Sequence, residues 1–154
     1  MSDPQQPSFG IEKIYVKDLS LEVPGGPQTF MQQESPQLEV QITQNSQRVG
    51  DALFEVTLVV TVTAKSGDKT LFLVEASQAG VFQIRNLTEA DLPPVLGIVC
   101  PNVLFPYARE TVSDLITRAG FPPVLLAPVN FEAIYQQRAA ASATPAGPRI
   151  EVAH

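Results

Sequence analysis

The sequence predicts an α+β fold: a four-stranded antiparallel sheet, built first, then two helices that cover one side of it. Three observations predict it. Apolar and polar residues alternate with a period of two through much of Ile11 to Ile84. Apolar residues then recur at helical spacing between Thr88 and Arg138. No internal repeat or break in composition divides the 154 residues into a second domain.

The first strand is expected over Ile11 to Glu22, with Ile14, Val16 and Leu21 as its apolar members, and Pro24-Gly25-Gly26-Pro27 ends it. Leu38, Val40 and Ile42 alternate with Glu39, Gln41 and Thr43 in a second, half-buried strand. The strongest pattern runs from Leu53 to Ala64. Phe54, Val56, Leu58, Val60 and Val62 fall on one face, and Glu55, Thr57, Val59, Thr61 and Thr63 on the other. That alternation reads Glu55 as a solvated surface residue. Ser66-Gly67-Asp68 turns the chain into a fourth strand over Thr70 to Ile84.

The helical half opens at Thr88, with Glu89 and Asp91 suited to a helix N-terminus. Pro101 and Pro106 are expected to break any single long helix, Pro106 starting a new one. Ala108, Val112, Leu115, Ile116 and Ala119 form its apolar stripe, and Gly120 with Phe121-Pro122-Pro123 stops it. Asn130 caps a short last helix in which Phe131, Ile134, Tyr135 and Arg138 share a face. The domain is thus expected over residues 9–138. A polar, Pro-rich tail (1–8) precedes it and a flexible tail rich in small residues (139–154) follows.

Composition excludes much chemistry. A net charge of −6 and a pI near 4.7 argue against nucleic acid and against a grip on anionic lipid. The single Cys forbids an intrachain disulfide or a multi-cysteine metal site, and the single His is the last residue, His154. Phosphate loops, nucleophile elbows and zinc-protease motifs are missing from the sequence. Cys100, between Val99 and Pro101, reads as a small buried hydrophobe, and Glu89 with Asp91 as helix-capping acids. The reading is therefore of a protein that is not an enzyme, with no catalytic residue, metal or cofactor. The first residues carry neither a basic nor an apolar targeting region, and the apolar run Pro93 to Pro106 is too short to span a bilayer. The expected address is the cytoplasm, with no direct membrane insertion.

Two features call for more than a core and a solvated surface. Apolar side chains gather beside breaks in regular structure: Phe30, Met31, Phe121, Leu125, Leu126 and Phe131. Such loops can line a groove. Acidic residues fall on strand surfaces at Asp18, Glu22 and Glu75, and grouped on one face they would form a docking plate for a basic partner. Alternation puts Leu73, Glu75 and Ser77 on one face of the fourth strand. Val74, Ala76 and Gln78 lie on the other, which packs against helices or another subunit.

Three stretches carry a family resemblance: Ile14-Tyr15-Val16-Lys17-Asp18-Leu19-Ser20, Cys100-Pro101-Asn102-Val103-Leu104-Phe105-Pro106-Tyr107-Ala108-Arg109-Glu110, and Leu126-Ala127-Pro128-Val129-Asn130-Phe131. Together they resemble the bacterial SecB protein-export chaperones, over roughly Phe9 to Arg138. The resemblance implies an ATP-independent holdase without a cofactor. It would bind unfolded precursor proteins, hand them to the SecA translocation ATPase, and assemble as a homotetramer, a dimer of dimers. By position, it assigns SecA docking to Asp18, Glu22, Leu73 and Glu75. The oligomer interface falls to Val74, Ala76 and Gln78, with Val112, Leu115 and Ile116 of the long helix between dimers. The client groove falls to Phe30, Leu38, Val40, Ile42, Phe121, Leu126 and Phe131. Many family members carry a Trp where this chain has Glu34-Ser35-Pro36, so the groove's aromatic anchor here is missing or comes from elsewhere. Two other readings share the sequence pattern: a SecB-like chaperone of a toxin–antitoxin module, and a carrier of a small hydrophobic ligand between sheet and helix.

Overall fold

The computed structural model describes residues 6–31, 35–141 and the backbone of 150–153. Four long strands form the expected antiparallel sheet: β1 (Ser8–Glu22), β2 (Gln37–Gly50), β3 (Leu53–Ser66) and β4 (Lys69–Arg85). A short fifth, β5 (Ile150–Ala153), adds to the edge, giving the order β1-β4-β3-β2-β5. Gly67, at a φ of 60°, makes the β3–β4 hairpin turn, and Ala52, at 56°, makes the β2–β3 turn. β1 pairs with β4 rather than with β2, so the chain after Val23 crosses to the opposite side of the sheet. A 3₁₀ segment (Gly26–Met31) within that crossover carries Phe30 and Met31.

The side of the sheet formed by Phe54, Val56, Leu58, Val60, Val62, Phe72, Val74, Ala76 and Phe82 is fully covered. Its cover is α2 (Cys100–Arg118), which lays Leu104, Phe105, Ala108, Val112 and Ile116 on it. At Gly80 the two layers come so close that a Cβ would sit 3.0 Å from a methyl of Leu104. Cys100 is buried in this layer, and burial pushes its thiol up to about 12.

Helix α2 does not start at Pro106. A one-turn α1 (Leu92–Pro94) runs through a π turn (Val95–Val99) into α2, leaving Pro106 inside the helix and Pro101 in its first turn. The expected break is therefore absent, and at Pro101 the reason lies in how the Gly97 carbonyl is served. In α-helical bonding the Gly97 carbonyl would need an N–H from residue 101, which proline lacks. The π turn shifts the bonding, so that Cys100 N–H donates to Val95 O, and Gln44 of β2 donates its side-chain N–H to Gly97 O at 3.1 Å. The helix ends as expected. Gly120, at a φ of 94°, donates to Thr117 O and Phe121 donates to Ile116 O, the paired bonds of a Schellman stop. Asn130 Oδ1 accepts the Ala133 N–H at 3.0 Å and so caps α3 (Phe131–Ala141).

Two elements reach beyond Arg138. α3 continues to Ala141, since a run of alanines has no reason to leave a helix once it is capped. Ile150–Ala153 pair with β2, because an unpaired strand edge offers backbone partners to any extended segment.

Candidate functional site

The crossover and the segment after α2 meet at one end of the sheet. There they form an open cleft of about 440 Å³ lined by Phe30, Pro36, Leu38, Leu71, Phe72, Phe121 and Val124, among others. Its wall is a run of three aromatic rings: Phe30 lies 5.1 Å from Phe121, which lies 4.8 Å from Phe72. Gly120 allows this approach. A Cβ there would stand 3.0 Å from the Phe30 ring. Phe30 remains 53% exposed and Met31 77%, while Leu125, on the same post-helix segment, is 75% exposed. Pro122 and Pro123 keep that segment extended.

Of the seven groove residues expected from the sequence, Phe30, Leu38 and Phe121 line the cleft. Val40, Ile42, Leu126 and Phe131 do not. They are sealed in the core at 8% exposure or less. Val40 and Ile42 point to the helix side of β2. Phe131 stands edge-on to Phe105 at 5.9 Å, buried in the core. Phe72 and Leu71 were missed, although Phe72 follows the hairpin turn as a large aromatic at a strand end. The place of the absent Trp falls partly on residue 34, outside the described residues, and the cleft takes its aromatic character from Phe30, Phe72 and Phe121.

The other face of the sheet carries the acids. Glu22 pairs with Leu73, Ser20 with Glu75 and Asp18 with Ser77, so Asp18, Glu22, Leu73 and Glu75 share one face. A β-bulge between Val16 and Asp18 makes this possible. Unbroken alternation would have put Asp18 on the face of Val16. Asp18, Glu22 and Glu75 are exposed, and among the described residues none joins an ion pair; Glu75 accepts a hydrogen bond from Thr61 at 3.2 Å.

Glu55 lies on that face as expected but is not solvated there. It is only 8% exposed. Lys17, the extra residue of the bulge, donates to Glu55 Oε1 at 2.7 Å, Gln47 donates at 3.2 Å, and the Tyr15 hydroxyl donates to Oε2. The Lys17 contact, then the Tyr15 contact, hold the carboxyl below the usual range; the same carboxylate pushes Tyr15 up to about 12. No local pattern signals this cluster, because it depends on register across four strands.

The residues expected at an oligomer interface are also mostly interior. Val74, Ala76, Val112 and Ile116 are fully buried between sheet and helix, which removes them from any partner's reach. Gln78 is 2% exposed, donating to Tyr15 O and accepting from Thr111. Only Leu115 is partly exposed. Alternation reads a face correctly, and that face is filled by the chain's own helix.

Among the described residues no cluster of three or more His, Cys, Asp or Glu could hold a metal, and no helix is long and apolar enough to cross a membrane.

A helix-backed antiparallel sheet with an aromatic cleft at one end defines a SecB-like chaperone fold. The solved SecB-like chaperone of Mycobacterium tuberculosis, in complex with a ChAD peptide from the HigA1 antitoxin, matches with a TM-score of 0.62. The match covers 79% of this chain and 90% of that one at 19% identity. The family is narrower than the fold. The model of the family Preprotein translocase subunit SecB matches residues 2–142, and the chain belongs to the SecB family of protein-export chaperones. The Protein-export protein SecB of Chromobacterium violaceum is 61% identical over 145 residues, covering 93% of this chain and 97% of that protein. That of Thiobacillus denitrificans is 56% identical over 147 residues, covering 96% and 97%.

Proposed function

We propose that this export chaperone is an ATP-independent holdase of the cytoplasm that keeps precursor proteins unfolded and delivers them to SecA. The aromatic cleft carries the reading. It leaves Phe30 half-exposed beside Met31, apolar surface that a folded monomer ordinarily covers. An unfolded client offers apolar side chains worth roughly 1.5–3 kcal/mol each when fully buried. A few such anchors, less the ordering cost, give affinities near micromolar, about −8 kcal/mol. Selection is then for the non-native state, since folded proteins seldom expose contiguous apolar segments.

The acidic plate of Asp18, Glu22 and Glu75 around Leu73 supports docking of a basic surface of SecA. Association of subunits is supported by β1. Its outer edge has no strand partner among the described residues, and Ile11, Val16 and Leu19 remain at least 43% exposed along it. We assign the contact of a homotetramer, built as a dimer of dimers, to this edge and the half-buried face of α2 around Leu115. Val74, Ala76 and Gln78 act there only by seating α2. The test is refolding of a model precursor with stoichiometric tetramer and no nucleotide. The expected result is a delay. Unchanged refolding overturns the proposal.

A further inference from the structure

β2 is an outer strand, and the chain's own C-terminal strand covers its edge. Ala153 pairs with Glu39, Val152 with Val40, Glu151 with Gln41 and Ile150 with Ile42. The pairing ends opposite Glu39, one residue from Leu38, which walls the aromatic cleft. An extended client leaving the cleft along β2 would need the same backbone donors and acceptors. The two aliphatic positions of the strand, Ile150 and Val152, fall in register with Ile42 and Val40, the apolar rhythm an extended client would present.

We infer that Ile150–Ala153 is a built-in competitor: a pseudo-client that occupies the β2 edge and leaves when a longer segment arrives. The inference rests on the holdase reading above and adds a regulated edge to it. Four paired residues make a weak occupant, since so short a strand offers few backbone bonds and its pairing register is easily lost. A client bound across cleft and edge can displace it. The tail then sets a threshold that weakly bound, short segments do not pass, because apparent affinity falls by the fraction of molecules whose edge is open.

The test compares the full chain with a chain ending at Ala141 and with Val152→Pro, which removes a backbone donor but keeps the tail's length and charge. The probe is an unstructured peptide alternating valine and threonine, and binding is followed by fluorescence anisotropy. Both variants should bind about three- to tenfold more tightly than the full chain. Backbone amides of Glu39 to Ile42 should exchange faster in the unliganded variants than in the full chain. Equal affinity in all three chains, with binding intact, overturns the inference and leaves the holdase reading standing. Failure of every chain to bind the peptide overturns both. Amide protection that depends on protein concentration also overturns it, since the edge would then be covered by a second copy.

Discussion

The two faces of the sheet come from the same strands and have opposite fates. On the helix side, Val74 and Ala76 are sealed beneath α2. On the other side, Glu75, the residue between them, stands in solvent with Leu73 beside it. Among the described residues α2 covers one face, and the second carries the exposed acids. One position along β4 therefore separates a residue sealed in the core from one open to solvent.

The largest effect is expected where that division is crossed. Val74→Asp puts a charge in the sheet–helix layer with no partner, and should cost about 3–5 kcal/mol or prevent folding. Denaturant unfolding of the variant checks it, and near-native stability would place β4 in the opposite register. Glu55→Gln should cost about 1–3 kcal/mol near neutral pH, since Lys17 loses its charged acceptor. Its sign with pH is fixed. The Glu55 carboxyl titrates below its ordinary 4.5, so its stabilisation is complete above that value and is lost as pH falls through the lower folded value. The gap in Tm between wild type and Glu55→Gln should therefore be widest near neutrality and close on acidification. A gap that stays constant into acid would contradict the network. Glu75→Lys should change stability least, by under about 0.5 kcal/mol, while weakening SecA binding and sparing client binding. Equal loss of both would show that one surface serves both partners.

Much of this division is legible in the sequence. Alternation in Leu53 to Ala64 and in Leu73 to Gln78 reads out both faces, because a period of two maps onto sides of a sheet without reference to anything distant. What fails is whatever depends on a distant segment. β2 runs on to Gly50, yet Gln44 to Arg48 are polar on both faces and show no alternation; pairing with β3 holds them extended. Pro101 reads as a break because the donor that serves Gly97 O is Gln44, far away in sequence. The bulge that brings Asp18 to the acidic face leaves no mark in residue type. The groove shows the same limit: apolar residues near breaks are correctly marked as special. Whether each is a wall, as Phe30 is, or a plug, as Phe131 is, depends on what lies across from it.

The most direct measurement is client affinity after Phe30→Asp. Phe30 is more than half exposed, so the substitution leaves the sheet–helix core intact and should lower Tm little. Its ring packs against Phe121 in the cleft, and a carboxylate there removes one anchor and must be desolvated when an apolar segment covers it. The dissociation constant for an unfolded precursor, measured by titration calorimetry on the full chain, should rise about tenfold or more. The delay in refolding should shrink with it. A variant that holds precursor as tightly as the wild type would show that clients bind somewhere other than this cleft.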